Sequence, residues 1–181
     1  MGKAPGGARS GQAMLESLIV LIVLLAGFLF FFDFAYGAVS RLLLANGAAR
    51  AARADAVGYN YFHRSKALRV GMIPVSGRRL VPDGGRTVDG AAGELALVRT
   101  YLQSEDWPES YGILDYERWA GLSHTVRHDG GRCRVDASFA TPRLTPWRLA
   151  ALVGVDSPEG EEQTFKARWE IEDHASLYLK R

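Results

Sequence analysis

Gly11-Gln12-Ala13-Met14-Leu15-Glu16-Ser17 opens an apolar run that continues as Leu18-Ile19-Val20-Leu21-Ile22-Val23-Leu24-Leu25 and ends only at Asp33. From Leu18 to Phe32 there are 15 positions without a charged or strongly polar residue. Counted from Ala13 the run reaches about 20, the number needed for a helix to cross a hydrocarbon core of about 30 Å. One carboxylate, Glu16, stands at its mouth, behind a short leader whose charges are Lys3 and Arg9. An ionisable group at the centre of a bilayer costs roughly 2.5–3.5 kcal/mol on insertion scales, less near the interface, and in such a segment marks a functional position with a partner. A cut after Gly11 would create that partner, because the new amine on Gln12 lies one helical turn from Glu16.

The helical pattern continues beyond Asp33. Tyr36, Val39, Leu42, Leu43 and Leu44 recur at helical spacing, and Ala45 to Ala56 is rich in alanine, the best helix former, with no proline. The glycines at 37 and 47 mark places for a bend. A helix from Gln12 to Val57 would be roughly 65–70 Å long at 1.5 Å per residue. We expect residues 12–33 to form a transmembrane helix and residues 34–57 a helical stalk outside the lipid. The small residues of the stalk, Ala45, Gly47, Ala48, Ala49, Ala51 and Ala52, suit close helix packing, either on this chain's own head or between subunits.

Residues 58–181 read as an α+β head. Gly58 to Asp89 is broken by Pro74, Gly77, Pro82, Gly84 and Gly85 and reads as an irregular connector, with at most a short strand at Leu68–Ile73. Asp89 reads as a helix cap before an amphipathic segment, Glu94–Leu102, whose apolar positions are Leu95, Val98, Tyr101 and Leu102; Trp107-Pro108 ends that element. From Leu122 the period becomes two. His124, Val126 and His128 lead to a turn at Asp129-Gly130-Gly131, and Cys133, Val135, Ala137 and Phe139 alternate on the return. Pro142 and Pro146 stop this strand, and Trp147–Val153 suggests a short helix. In the last strand Phe165, Ala167, Trp169 and Ile171 share one face, while Lys166, Arg168, Glu170 and Glu172 share the other. The expected product is an antiparallel sheet with its apolar face on a helix and its charged face in solvent.

The composition excludes several classes of function. A formal charge of +2 over 181 residues, with no dense Lys/Arg cluster, gives no footprint for nucleic acid. The single cysteine, Cys133, cannot close an intramolecular disulfide and reads as a small strand residue. His124, His128 and Cys133 invite a zinc reading, but strand positions four apart lie roughly 13 Å from each other, so both histidines cannot hold one ion on a regular strand. Glu159, Glu161 and Glu162 read as solvated loop charges, without the order of a calcium loop. No Gly-x-Ser-x-Gly elbow, phosphate-binding glycine loop or His-Glu-x-x-His helix is present. No cofactor, no metal and no catalytic residue is expected, and a structural role is expected rather than an enzymatic one.

Glycine, a cut, glutamate at the fifth position after it and an apolar helix resemble the processing site of type IV prepilins. Gly-Gln-Ala-Met-Leu-Glu is most similar to the TadE-type pseudopilins of the tight-adherence (Tad/Flp) pilus system; Gln12 stands where many major pilins have phenylalanine or methionine. Arg134-Val135-Asp136-Ala137, followed by Pro142-Arg143-Leu144-Thr145-Pro146, is similar to the tail of those proteins. The resemblance implies a leader of residues 1–11, cleavage by a prepilin peptidase between Gly11 and Gln12, and a register role for Glu16 with Gln12. It also implies a single pass through the inner membrane with the head in the periplasm or outside, and partners among other pilins or pseudopilins and an inner-membrane assembly platform. Orientation rests on the resemblance alone, since Arg41 and Arg50 follow the span as Lys3 and Arg9 precede it. Two other readings compete with a minor pilin: a single-pass anchored periplasmic binding or scaffold domain with an uncleaved helix, and an exported enzyme whose signal is removed near Ala35-Tyr36-Gly37. Bulky Phe28, Phe30, Phe31, Phe32 and Phe34 disfavour the last. The mature N-terminus separates the three: Gln12, Met1 or Gly2, or a residue near Ala38.

Overall fold

The computed structural model describes residues 7–80, 90–142 and 162–174. They form an α+β chain: one long helix, three short helices, two short 3-10 turns and two antiparallel sheets. Residues 7–37 belong to one compact unit, and residues 38–80, 90–142 and 162–174 belong to the other. Asp89, Pro146 and Trp147–Val153, read above as a cap, a strand stop and a short helix, lie outside the described residues, as do Glu159 and Glu161.

Helix α1 spans Gly7–Ala56 without interruption at Asp33, Gly37 or Gly47. It ends where Gly58 takes a φ of 96°, a left-handed conformation that a side chain would resist. There the Tyr59 amide donates to the Ala54 carbonyl at 3.0 Å and the Gly58 amide to that of Asp55 at 2.8 Å, closing the orphan carbonyls in a Schellman cap. Within the second unit, Leu44, Ala48, Ala51, Ala52, Asp55 and Ala56 are buried at helical spacing. The small residues from Ala48 onward therefore pack on the chain's own head.

That head is built on a three-stranded sheet of order β3-β4-β5: β3 (Leu122–Asp129), β4 (Arg132–Pro142) and β5 (Glu162–Glu172). Asp129 pairs with Arg132 across a two-residue turn in which Gly130 and Gly131 both have positive φ, the primed geometry that matches strand twist. Cys133, Val135, Ala137 and Phe139 are buried on the inner face, with Phe165 beside Phe139. Arg134, Asp136, Arg168 and Glu170 pair on the outer face, with Arg168 Nε 2.6 Å from Asp136 and Arg134 Nη2 3.0 Å from Glu170. Both the hairpin and the one-sided sheet agree with the sequence reading. Trp169 is the exception on the inner row, 40% exposed. Helix α1 meets the inner face: the Arg41 guanidinium lies 5.6 Å over the Phe165 ring.

Gly58 to Asp89 is not merely a connector. Helix α2 occupies Tyr61–Met72, capped by the Asn60 side chain, which accepts from the His63 amide at 3.1 Å. No strand forms at Leu68–Ile73; Leu68 and Met72 are buried on the helix, and a 3-10 turn follows at Ile73–Val75. The pattern was hidden because two of the four buried positions, Ser65 and Lys66, are polar. At Gly47, an added Cβ would meet Leu68 Cδ1 at 2.9 Å, so α1 and α2 approach where no side chain intervenes.

A two-residue strand β1 (Arg79–Leu80) pairs with β2 (Asp115–Tyr116). Helix α3 covers Gly90–Gln103 and α4 covers Trp107–Ile113. Trp107-Pro108 begins a helix rather than ending one. Asp106 caps α4 by accepting from the Glu109 amide at 2.8 Å, and Glu109 reaches back to the Glu105 amide at 2.9 Å. The inner side of α3 is Leu97, Val98 and Tyr101, while Leu95 and Leu102 face outward. Tyr101, Leu114, Tyr116 and Trp119 form an aromatic core.

This core sets an alkaline limit. Burial pushes the Tyr101 phenol up to about 12 from its ordinary 10.0. The native state holds the proton while the unfolded chain loses it above about pH 10, so stability is lost from about pH 10 to 12, at about 1.4 kcal/mol per pH unit. Tyr116 acts in the same direction, through burial and its bond to Glu94. Lys66 acts oppositely, because burial lowers its pKa from the ordinary 10.5 and stability then rises with pH below that value. Tyr101 Oη lies by Arg69 without a hydrogen bond of good geometry. Tyr101→Phe should therefore cost less than about 1 kcal/mol at pH 7 and flatten the alkaline loss, measured by urea unfolding at pH 7 and pH 11.

Candidate functional site

Two groups of residues bear on function: the start of the apolar helix and a polar cluster inside the head. The first lies in the opening turns of α1. Gly11, Gln12 and Glu16 are all exposed, and Gln12 and Glu16, four apart on a helix, share a face. A Cβ added at Gly11 meets nothing within 4 Å, so the fold itself does not require glycine there. Ser17 Oγ donates to the Ala13 carbonyl at 2.9 Å, a local bond within the helix. From Met14 to Phe32, fourteen large apolar side chains lie 49–76% exposed. At on the order of 100 Å² each they exceed the ~300–600 Å² of the largest apolar patch on an ordinary soluble monomer. The most apolar stretch of the helix has a mean hydropathy of 2.8, and it is long and apolar enough to cross a membrane.

The second group gathers four elements of the head around Asp55. Asp55 lies near the end of α1 and is 4% exposed. Its Oδ1 pairs with the Arg64 guanidinium from α2, and its Oδ2 accepts from the Cys133 thiol of β4 at 2.7 Å. His128 of β3 is the cross-strand partner of Cys133. Its Nε2 stands 3.3 Å from the same Asp55 oxygen, and its Nδ1 stands 3.1 Å from Oδ2 of Asp173, just after β5. Cys133 is fully buried and Asp173 is 6% exposed, whereas the His128 side chain is 54% exposed and opens the cluster to solvent. Burial, then the Asp173 charge, raises the Cys133 pKa, so the free thiol holds its proton. Burial lowers the pKa of Arg64.

His124, weighed above with this pair, is elsewhere. It stacks on Tyr61 at 4.9 Å between ring centroids, and burial, with the charges of Arg64 and Arg69, lowers its pKa. The two histidines indeed share no ligand position, but His128 and Cys133 do meet. Asp55, Arg64 and Asp173 were absent from the sequence reading. Asp55 carried a signal, since it is the acidic residue on a stripe otherwise made of alanine; Asp173 carried none. Glu162 is exposed at the start of β5.

No family model, no curated protein and no solved structure matches the chain.

Proposed function

We infer that the chain is a minor pilin-like subunit of the TadE type, cut after Gly11 by a prepilin peptidase and working structurally in assembly of a Tad/Flp-type pilus. The observation that carries the reading is the Gly11–Glu16 spacing on one continuous helix that leads into an apolar stretch with no buried residue. Lipid would cover residues 13–32, and the head of residues 58–181 would stand in the periplasm or outside. That head, a small domain in its own right, favours a minor subunit over a filament built of helices alone. Once Gln12 is the N-terminus, Glu16 falls at the positive end of the helix dipole and near the new amine, both of which stabilise a carboxylate. Residue 11 is free of packing demands, and glycine inside a helix costs about 1 kcal/mol relative to alanine, so its presence there calls for a reason outside the fold.

The continuous helix also favours a second reading, an uncleaved single-pass scaffold, since the bond between Gly11 and Gln12 is helical as it stands. A peptidase must first open the end of the helix, where orphan amides make fraying easy. Intact mass of the protein from membranes expressing a prepilin peptidase separates the two. Wild type should begin at Gln12, and Gly11→Ala, which has room in the structure, should keep its leader. If wild type and variant both keep the leader, the scaffold reading stands and the pilin reading fails.

A further inference from the structure

We propose that Asp55, His128 and Cys133 form a binding site for a divalent transition-metal ion, Zn²⁺ by the chemistry of its donors, and that the ion ties the end of α1 to the sheet. One carboxylate oxygen, one imidazole nitrogen and one sulfur lie within 4.8 Å of one another, on three separate elements. This is the mixed N, O and S set that Zn²⁺ accepts in tetrahedral geometry.

Two of the three ligand separations can be set against what an ion requires, and the third lies within 4.8 Å. Two ligands each 2.0–2.1 Å from a tetrahedral ion are about 3.3–3.4 Å apart, and His128 Nε2 and Asp55 Oδ2 are 3.3 Å apart. A sulfur at about 2.3 Å and an oxygen at about 2.0 Å from the same ion are about 3.5 Å apart. Cys133 Sγ is 2.7 Å from Asp55 Oδ2, so that pair must open by roughly 0.8 Å as the ion takes the place of the thiol proton, which leaves to solvent.

The surroundings complete the arrangement. Asp173 Oδ2 lies 3.1 Å from Nδ1 of His128, so it can hold a proton on that nitrogen and leave Nε2 to the ion beside Asp55. At 3.3 Å from the Asp55 oxygen, Nε2 carries either a proton or a lone pair, and in the second case a metal ion can take the proton's place between them. Metal-bound histidines ordinarily carry such a carboxylate on the second nitrogen, and its loss weakens binding 10–100-fold. Arg64 occupies the other oxygen of Asp55 and leaves Oδ2 for the ion. The exposed side of His128 provides entry and a place for water as fourth ligand.

The test uses the full chain purified in detergent and the metal alone as probe. One equivalent of Co²⁺ should give intense tetrahedral absorption with a thiolate-to-cobalt charge-transfer band, and Zn²⁺ should abolish both. Cys133→Ser should lose the band. His128→Gln, at an exposed position, should weaken Zn²⁺ at least tenfold and abolish the rise in Tm that Zn²⁺ gives the wild type. Asp173→Asn should weaken Zn²⁺ 10–100-fold with the charge-transfer band retained, and His124→Gln should change nothing. A wild type without the band overturns the proposal. So does an unchanged Zn²⁺ affinity in His128→Gln, whether or not Cys133→Ser folds. None of these readouts depends on processing or pilus assembly.

Discussion

If the chain is the pilin-like subunit proposed above, Glu16→Ala should insert into the membrane as well as the wild type and be processed normally, yet fail to support filaments. Insertion depends on the apolar run from Leu18 to Phe32, and removing an ionisable group from its mouth makes transfer more favourable. On the pilin reading, assembly depends on register. If the amine of Gln12, from the same subunit or a neighbour, pairs with Glu16 in a low-dielectric helix bundle, a slip of one turn leaves the carboxylate buried without its partner. Removing one member of a buried pair costs about 3–5 kcal/mol, a factor of hundreds or more in a specific contact. Glu16 is exposed and belongs to the unit of residues 7–37, whereas the buried core residues belong to the other unit. Membrane fractionation, intact mass and filament counts, measured in parallel on one strain, give the answer. Normal filaments would leave Glu16 without a register role, and a glutamate hydrated at the headgroups would then explain it.

Lys66→Met should destabilise the head by about 3–5 kcal/mol, a large share of the 5–15 kcal/mol of an ordinary domain. Lys66 has no exposed surface, and its ammonium is held by oxygens at the end of α3: Tyr101 O and Leu102 O at 3.0 Å, and Ser104 O at 2.6 Å. Carbonyls in the last turn of a helix have no intrahelical donor, and that end carries the negative pole of the helix dipole. The lysine thus completes α3 from α2. Phe62 covers the ammonium at 4.1 Å from its ring centroid, adding a cation–π contact. Methionine fills most of the volume but donates nothing; the Tyr101 carbonyl keeps the Ser104 hydroxyl, while those of Leu102 and Ser104 lose the ammonium at about 1–3 kcal/mol each. Urea unfolding of the detergent-solubilised chain, followed by tryptophan fluorescence, reads the change. A loss below about 1 kcal/mol would mean that water replaces the ammonium and that Lys66 is a spacer only.

Much of the architecture follows from local pattern. The long helix was legible because its apolar run and alanine-rich continuation need no partner to be recognised as helical. The hairpin at Asp129–Arg132 was legible because two adjacent glycines between alternating strands specify a primed turn. In contrast, α2 is obscured by Ser65, whose hydroxyl donates to the Tyr61 carbonyl within the helix, and by Lys66, whose partners lie 35 and more residues away at the end of α3. The start of α4 was written in Asp106-Trp107-Pro108-Glu109, a cap, a first-turn proline and a returning glutamate, but the proline was read as a stop. Leu95 and Leu102 fit the apolar side of α3 by spacing alone, because periodicity gives a face and not the direction in which that face points.

By itself, then, the chain's order of residues determined an apolar helix with a glycine and a glutamate five apart at its start, an α+β composition, and a sheet with one apolar and one charged face. These are properties of neighbours in sequence, set by helical and strand periods and by turn chemistry. Only the tertiary structure decided that Asp55 meets Cys133 across 78 residues and that His128 lies between Asp55 and Asp173. The strands place His128 and Cys133 side by side, but the helix that supplies the carboxylate arrives by packing, and packing is directed by the shape of the whole buried surface rather than by spacing along the chain.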